Sequence, residues 1–241
     1  MVDDGAITDV VTTPDAPPDG RMIDAPAMAD ARPLDAPPQV PVRFVQGVSA
    51  SANSNQIFAT FGSLETIGDL NVVGVSWNST TVTITSIADT DLNTYVQVGT
   101  PVLLAGAGYL AVYYAPNIHQ GAMANKVTVS FSGTVAPMLV LAEYSGLALT
   151  PLDVSHSAAN TNGAALDSGA ATTTNAHDLL VGIAAATRNV SAGTGYTPRV
   201  SSGLDLIEDQ EVSATGSYHA TASLGQNGGW IMTMVAFKAL N

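Results

Sequence analysis

The sequence predicts an all-β protein: an antiparallel β-sandwich, jelly-roll-like and made of two similar halves, behind a disordered N-terminal tail. From residue 42 onward, short runs rich in Val, Ile, Thr and Tyr alternate with Gly, Asn, Asp and Ser. Many runs alternate apolar and polar residues, as in residues 126–132 (KVTVSFS), which gives a strand one dry and one wet face. No window has the three-to-four-residue apolar spacing of an amphipathic helix. Many short strands between turn residues are typical of a sandwich or barrel.

Turn residues mark most of the predicted strand ends in order along the chain. In the first half, the predicted strands are residues 57–61 (before Gly62), 70–77 (after Gly68), 81–87, 95–98 (before Gly99), 109–115 (before Pro116), 126–132 (before Gly133) and 138–144 (after Pro137). In the second half, they are residues 179–186 (after Asp178), 199–202 (before Gly203), 206–211, 217–223 (after Gly216) and 230–238 (after Gly229).

The composition fits one large globular region with its own core. The chain has 241 residues, 46% of them hydrophobic, and no cysteine, so apolar burial rather than disulfides must hold the fold. Twenty acidic residues against seven basic ones give a net charge of −13. Nucleic acids and anionic membranes attract clustered Lys and Arg, so we expect neither as a partner. No stretch approaches the roughly 18 apolar residues of a membrane-spanning helix.

Residues 1–41 have the composition of a disordered linker. They hold eight prolines, eight aspartates, two arginines and no aromatic residue. Such a segment cannot bury enough apolar surface to offset the entropy of ordering it, and its prolines and like charges favour extended conformations. We expect a spacer that holds residues 42–241 away from a surface, with an inert tail as the alternative.

The tail repeats a short acidic, proline-rich unit. The residues Asp-Ala-Pro-Pro occur at 15–18 and again at 35–38. This pattern resembles the stalk that follows the lipidated cysteine in bacterial surface lipoproteins. The resemblance implies an extracellular or bacterial outer-surface location. The chain begins Met-Val-Asp-Asp, without the basic and apolar regions of a signal peptide. We therefore expect the export signal and anchor to lie outside this sequence, with an intracellular chain as the alternative.

The two halves of residues 42–241 echo each other. Each half has an Asp-Leu strand (from Asp69 or Asp178), then a Tyr-led strand (109 or 218), then a Met-led strand (138 or 232). The echo predicts one sandwich of two Greek keys, in which each half supplies strands to both sheets. Two tandem small sandwiches are the alternative.

A second resemblance covers nearly all of this region. It is carried by the segments 68–77, 113–115, 143–147, 178–182 and 228–238. Together these segments resemble a largely uncharacterised module of large secreted bacterial proteins. The resemblance implies an extracellular sandwich and supplies no catalytic residues.

One acidic turn is a candidate metal site. Asp89, Asp91 and Asn93 place oxygen atoms at alternate positions, as at the start of a calcium-binding EF-hand loop. The pattern then breaks, because Thr94 stands where the loop requires glycine and Thr100 where it requires glutamate. Ca²⁺ is therefore the one cofactor to consider, and ordinary turn residues are the alternative.

A second acidic group lies at Asp205, Glu208, Asp209 and Glu211. Paired carboxylates are required for glycoside hydrolysis. Acids are also common on the wet face of an edge strand, which is the interpretation favoured here. A hydrolase or lyase is therefore an alternative, and no catalytic residue is assigned.

Aromatic and amide side chains are the candidate ligand-binding residues. Sugar-binding sandwiches use flat aromatic faces beside hydrogen-bonding amides. His219 shares a polar strand face with Ser217 and Thr221 and lies beside Tyr218. The predicted ligand-binding residues are Trp77, Tyr114, Asn117, His219 and Trp230.

Three functions are consistent with these features. The first is a non-enzymatic, surface-displayed binding or adhesion module that recognises a glycan or another cell-surface polymer. The second is a structural subunit of an extracellular fibre or coat, self-associating by β-strand addition. The third is a polysaccharide-acting hydrolase or lyase.

Overall fold

The computed structural model describes residues 40–240, so the predicted tail lies almost entirely outside the described residues. All regular structure in the described range is β-structure. The strands are β1 (Arg43–Ser51), β2 (Ser54–Thr60), β3 (Leu70–Trp77), β4 (Ile84–Asp89), β5 (Val96–Gln97), β6 (Val102–Leu104), β7 (Gly108–Ala115), β8 (Lys126–Val135), β9 (Met138–Ser145), β10 (Leu147–Asp167), β11 (Ala171–Thr172), β12 (Asp178–Ala186), β13 (Val190–Ala192), β14 (Thr197–Ser201), β15 (Asp205–Val212), β16 (Ser217–Tyr218) and β17 (Thr221–Ala239).

The first half, residues 43–145, forms two antiparallel sheets. Its inner sheet has the strand order β1-β9-β3-β7-β5, with β6 also paired to β7. Its outer sheet has the order β2-β8-β4. In the central strand β3, every residue except Ser76 is buried, because the inner sheet packs against another layer on both faces. The continuous apolar run of β3 reflects this two-sided burial.

The second half, residues 147–239, repeats this plan with longer strands. Its inner sheet has the order β10-β17-β12-β15-β14, with β13 also paired to β17. Strands β10 and β17 pair along their whole length, from Leu147 opposite Ala239 to Asp167 opposite Thr221. The part of this pair near Asp167 and Thr221, together with β13 and the small β11-β16 sheet, covers the face of the inner sheet that points away from the first half. We call this layer the cover.

The two halves correspond strand by strand. The central strand β3 matches β12, β9 matches β17, β7 matches β15 and β1 matches β10. An approximate two-fold rotation relates the halves. Strand β14 pairs with β15 as β6 pairs with the equivalent strand β7, and β1 contacts β14 just as its equivalent β10 contacts β6. When Leu70 of β3 is aligned with Leu179 of β12, the neighbouring strands β7 and β15 can be aligned through their pairing with β3 and β12. Leu110 of β7 then corresponds to Asp205 of β15, and Tyr114 corresponds to Asp209.

Three apolar cores separate four layers. One core lies between the outer and inner sheets of the first half, and one lies under the cover of the second half. The third core joins the two inner sheets and includes Val72, Tyr144, Ile183 and Phe237. Because this shared core contains fully buried residues from both halves, the halves fold as one compact unit.

The all-β antiparallel sandwich with two similar halves is confirmed. The strand distribution differs from the prediction, because each half builds its own sheets instead of supplying strands to both. The arrangement is nearer to the alternative of two small sandwiches, here sharing a core. The predicted match of Tyr109 with Tyr218 is wrong, since Tyr218 lies in β16 and the strand equivalent to β7 is β15.

The longest strand is absent from the prediction. Strand β10 has 21 residues, yet its sequence contains Pro151 and Gly163, and its residues 155–165 are mostly Ala and small polar residues. It is an edge strand with largely half-buried or exposed side chains, so it has no apolar alternation for a pattern to detect. None of the described residues forms a helix long and apolar enough to cross a membrane.

Candidate functional site

An open cleft of about 220 Å³ lies between the two inner sheets. It forms where β3 and β12 end and β7, β9 and β15 begin, so matching positions of both halves line it. Met138 of β9 lies on one side and its equivalent in β17, Ile231, on the other. The cleft therefore lies on the approximate two-fold axis that relates the halves.

Most of the cleft wall is apolar. Leu104 and Ala107 line it from the first half, and Ala185 and Leu204 line it from the second. Such a wall favours an apolar or ring-shaped group by removing it from water. The cleft is open at its mouth, where Asn78 and Thr187 add polar atoms.

The two halves differ at one buried position of the cleft, where the second half has a carboxyl group and the first half has an apolar side chain. Asp205, at the start of β15, is 1% exposed and occupies the position that Leu110 has in the first half. Its Oδ2 atom accepts a hydrogen bond of 2.7 Å from the hydroxyl of Ser76. Burial raises the pKa of Asp205 to about 7, and the Ser76 hydrogen bond offsets part of this effect. A buried acid in an apolar setting is costly to keep and is a common mark of a functional site.

An aromatic pair lies at the edge of the cleft. Trp77 ends β3 and Tyr109 lies at the start of β7, and the two are paired residues in the inner sheet. Their rings stack with centroids 5.3 Å apart and planes 24° apart. The indole N–H of Trp77 donates to the carbonyl of Val82 at 2.9 Å, which fixes the ring. Both rings pack in the core between the outer and inner sheets, on the sheet face opposite Ser76.

Three predicted ligand-binding rings are mainly core residues. Trp77 and Trp230 are each 5% exposed and Tyr114 is 8% exposed. Tyr114 packs edge-on against Phe237, with ring centroids 5.5 Å apart, in the shared core. Tyr113, its neighbour in β7, is also buried, because the inner sheet has a core on each face. Of the three predicted rings, only Trp77 lines the cleft.

The other two predicted ligand-binding residues lie away from the cleft. Asn117 follows the far end of β7 and is exposed in a left-handed backbone conformation, with φ of 50°. His219 lies in the cover, where its Nδ1 atom is 3.0 Å from both carboxylate oxygens of Asp167. The hydroxyl of Tyr218 donates to the carbonyl of Ala214. The structure therefore does not bring the predicted ligand-binding residues together.

The candidate metal ligands bind backbone amides. Asp89 Oδ1 accepts from the backbone N–H groups of Asp91 and Asn93. Asp91 Oδ2 accepts from Gly121 N, and Asn93 Oδ1 accepts from His119 N, each at 2.7 Å. These bonds tie the β4–β5 loop to the β7–β8 loop, as expected of turn residues. Within residues 40–240, no group of three or more His, Cys, Asp or Glu side chains is placed to hold a metal ion.

The acidic group of β15 is not on an edge strand, contrary to the favoured interpretation. Strand β15 lies between β12 and β14, and Glu208 and Asp209 are 0% and 4% exposed on opposite faces. Asp209 pairs with the guanidinium of Arg199 at 2.7 Å. Glu208 accepts from Gly193 N at 2.9 Å, and burial raises its pKa to about 7. These two carboxyl groups do not share a cavity.

A buried acid and amide network lies at the opposite end of the first half. The wholly buried Asn125 side chain donates to Glu65 at 2.9 Å and to Asp89 at 2.8 Å. Burial raises the pKa of Glu65 to about 7, and burial together with the charge of Glu143 does the same for Asp69. The sequence contains no sign of this network, because Glu65 and Asp89 are 60 and 36 residues from Asn125 and become its neighbours only through the loops.

Ser76 and Tyr109 were also missed as site residues, and Asp205 was assigned to an acidic surface group. One signal was available in the repeat. When β7 and β15 are aligned through the registers, Gly-Tyr-Leu at 108–110 matches Gly-Leu-Asp at 203–205. An acid at a position that is apolar in the other half is the anomaly that identifies Asp205.

Comparison with known proteins found no match: no protein-family model, curated protein or solved structure matches this chain. The function is therefore argued from the cleft and from the sequence.

Proposed function

We propose that the protein is a non-enzymatic binding module of a bacterial outer surface, and that an end group of a glycan or other surface polymer enters the cleft between the halves. The observation that carries this proposal is the cleft itself, with one buried carboxyl on an otherwise apolar wall. A few polar groups in a largely apolar concavity are typical of specific ligand sites. Leu104, Ala185 and Ile231 supply the apolar surface that the carbon face of a sugar ring favours.

The location rests on the tail. Its Asp-Ala-Pro-Pro units have the composition of a surface-lipoprotein stalk, and a proline-rich acidic spacer extends by stiffness and self-repulsion. A module at the end of such a spacer can reach a polymer away from the surface that carries it.

Blocking the cleft tests the proposal. Ala107 lies on the turn between β6 and β7 and lines the cleft, whereas Ala105, on the same turn, is exposed and does not. We expect Ala107→Phe to fill the mouth and weaken binding by at least about tenfold, or about 1.4 kcal/mol. Ala105→Phe adds the same ring to the same turn and should bind like the wild type. The measurement is retention of the full chain on a glycan array and in polysaccharide pull-downs.

Two outcomes would contradict the proposal. One is that the wild-type chain binds no glycan or surface polymer. The other is that the Ala107→Phe and Ala105→Phe variants bind equally well, which would place the binding surface elsewhere.

A second candidate function is a structural subunit that assembles by β-strand addition. Strand β10 ends its sheet, and along it Leu149 is 66% exposed. Within the described range, no strand pairs with the outer edge of β10, and such an edge can accept a strand from a neighbour.

Light scattering tests this second function. If the wild-type chain forms oligomers, Leu149→Lys should dissociate them, because a charge on an edge opposes strand pairing. Leu92→Lys is the control, since Leu92 is 83% exposed in the β4–β5 loop. A wild-type chain that stays monomeric at concentrations up to about 1 mM would contradict assembly.

A further inference from the structure

We propose that the group bound in the cleft carries a primary ammonium, as the end residue of an amino-sugar polymer does, and that Asp205 is its counter-ion. This inference rests on the proposed function and names the chemistry of the ligand. It depends on two features: an acid of the cleft that no cation neutralises among the described residues, and the net negative charge of the chain.

The carboxyl of Asp205 has a hydrogen-bond donor but no cation. The donor is the neutral hydroxyl of Ser76. Among the described residues that line the cleft, Asp205 and Tyr109 are the titratable ones, and neither Lys, Arg nor His contributes from β3, β6, β7, β9, β12, β15 or β17. In the same core, by contrast, Asp209 has Arg199 as its partner. An ionised acid at the cleft floor therefore gains most from a cation that the ligand supplies.

The apolar wall suits the rest of the ligand. With its amino group at the carboxyl of Asp205, a bound ring would place its carbons against the alkyl side chains of Leu104 and Ile231.

The charge of the whole chain acts in the same direction. Its net charge of −13, of which −7 belongs to residues 42–241, raises the concentration of cations near the chain. It disfavours anionic ligands such as uronate or phosphate polymers by the same effect.

The charge state of Asp205 makes the proposal testable with pH. With a pKa of about 7 in the free protein, the group is mostly protonated at about pH 5.5 and mostly ionised at about pH 8.5. An ammonium ligand should therefore bind more tightly at the higher pH. A neutral ligand of the same shape should show no such gain.

The experiment uses benzylamine and benzyl alcohol, which share one shape and differ in charge. Binding to the full chain is measured by calorimetry and by Trp fluorescence at both pH values. We expect benzylamine to bind at least about tenfold more tightly than the alcohol at about pH 8.5. Its affinity should be about tenfold lower at about pH 5.5. In Asp205→Asn both differences should disappear. Because the pH comparison needs no variant, it holds even if that substitution impairs folding.

A second pair identifies the source of the amine. At about pH 7, where a share of both the amino groups and Asp205 is ionised, glucosamine oligomers should bind, and their N-acetylated forms, which lack the charge, should not. If benzylamine alone binds, the amino-sugar assignment is overturned.

The remaining outcomes separate this inference from the proposed function. Equal binding of the amine and the alcohol, or binding independent of pH, overturns the ammonium inference and leaves a cleft that binds neutral groups. If neither probe binds, the ammonium inference is overturned. The polymer comparison of Ala107→Phe with Ala105→Phe then decides the proposed function by itself.

Discussion

At the scale of single residues, the second half has buried acids at two positions where the first half has Leu and Tyr side chains. Asp205 replaces the equivalent of Leu110, and Asp209 replaces the equivalent of Tyr114, where it faces the buried Tyr144. Such exchanges cost desolvation free energy, so each needs a partner. Arg199 supplies one for Asp209, whereas among residues 40–240 the carboxyl of Asp205 has only the Ser76 hydroxyl. This difference in partners is the main reason for assigning ligand binding to Asp205.

Asn125 is the residue on which the loop end of the first half depends. Besides donating to Glu65 and Asp89, its amide oxygen accepts from the backbone and hydroxyl of Thr90. We expect Asn125→Ala to lower the free energy of unfolding by about 2–4 kcal/mol, because several buried groups lose their partner together. Urea unfolding measures the change. Asn55→Ala, at an exposed position, is the control, and equal effects at the two positions would contradict the role given to the network.

At the scale of strands and sheets, close contact between the inner sheets requires glycine at particular points. A Cβ atom at Gly74 of β3 would lie 2.7 Å from Ile183 Cγ2 and 2.8 Å from Val140 Cγ2. Two buried β-branched side chains would have to move, and the shared core leaves them little room.

The substitution Gly74→Ala tests this contact. We expect it to lower the free energy of unfolding by about 1–3 kcal/mol through overpacking. Gly62→Ala is the matched control, because no atom lies within 4 Å of a Cβ atom at that position. If chemical denaturation gives the two variants the same stability, the inner sheets do not pack as described.

Strands with two-sided or alternating burial were predictable from the sequence. The predicted residues 70–77 coincide with β3 (Leu70–Trp77), because continuous Val and Leu between Gly68 and Asn78 leave little choice of boundary. Edge strands were not predictable: β1 and β10 are long but have few buried positions, so pairing with a neighbour rather than an apolar pattern determines them.

The site was less predictable than the fold. Trp77 was identified by residue type and Ser76 is its neighbour in the chain, yet Asp205 approaches them only when the two inner sheets pack. A sequence pattern reports which face a side chain occupies within a strand. It does not report which strand of the other half lies opposite.

At the scale of the whole molecule, buried acids set the response to pH. Burial is the main cause that raises the pKa of Glu65, Asp69, Asp205 and Glu208 to about 7 and that of Asp178 to about 6. The folded state thus holds more protons than the unfolded state between about pH 4 and about pH 7. The free energy of unfolding therefore falls as the pH rises across this window.

We accordingly predict a lower melting temperature at about pH 8 than at about pH 5. Each kcal/mol lost corresponds to about 2–4 °C for a chain of this size. Glu208→Gln removes one of these groups and should reduce the difference in melting temperature between the two pH values. Glu211→Gln, at an exposed position, should leave that difference unchanged. Scanning calorimetry measures both, and a melting temperature equal or higher at about pH 8 would contradict the burial of these acids in neutral form.

The central claim is that the cleft between the two halves is the binding site, and an NMR titration tests it most directly. Amide and side-chain shifts of the full chain are followed as glucosamine oligomers or benzylamine are added. We predict that the largest changes occur at Ser76, Tyr109 and Asp205, which come from both halves and meet only at the cleft. Changes confined to the outer sheet around exposed Phe58, or to the edge of β10 around Leu149, would contradict the claim.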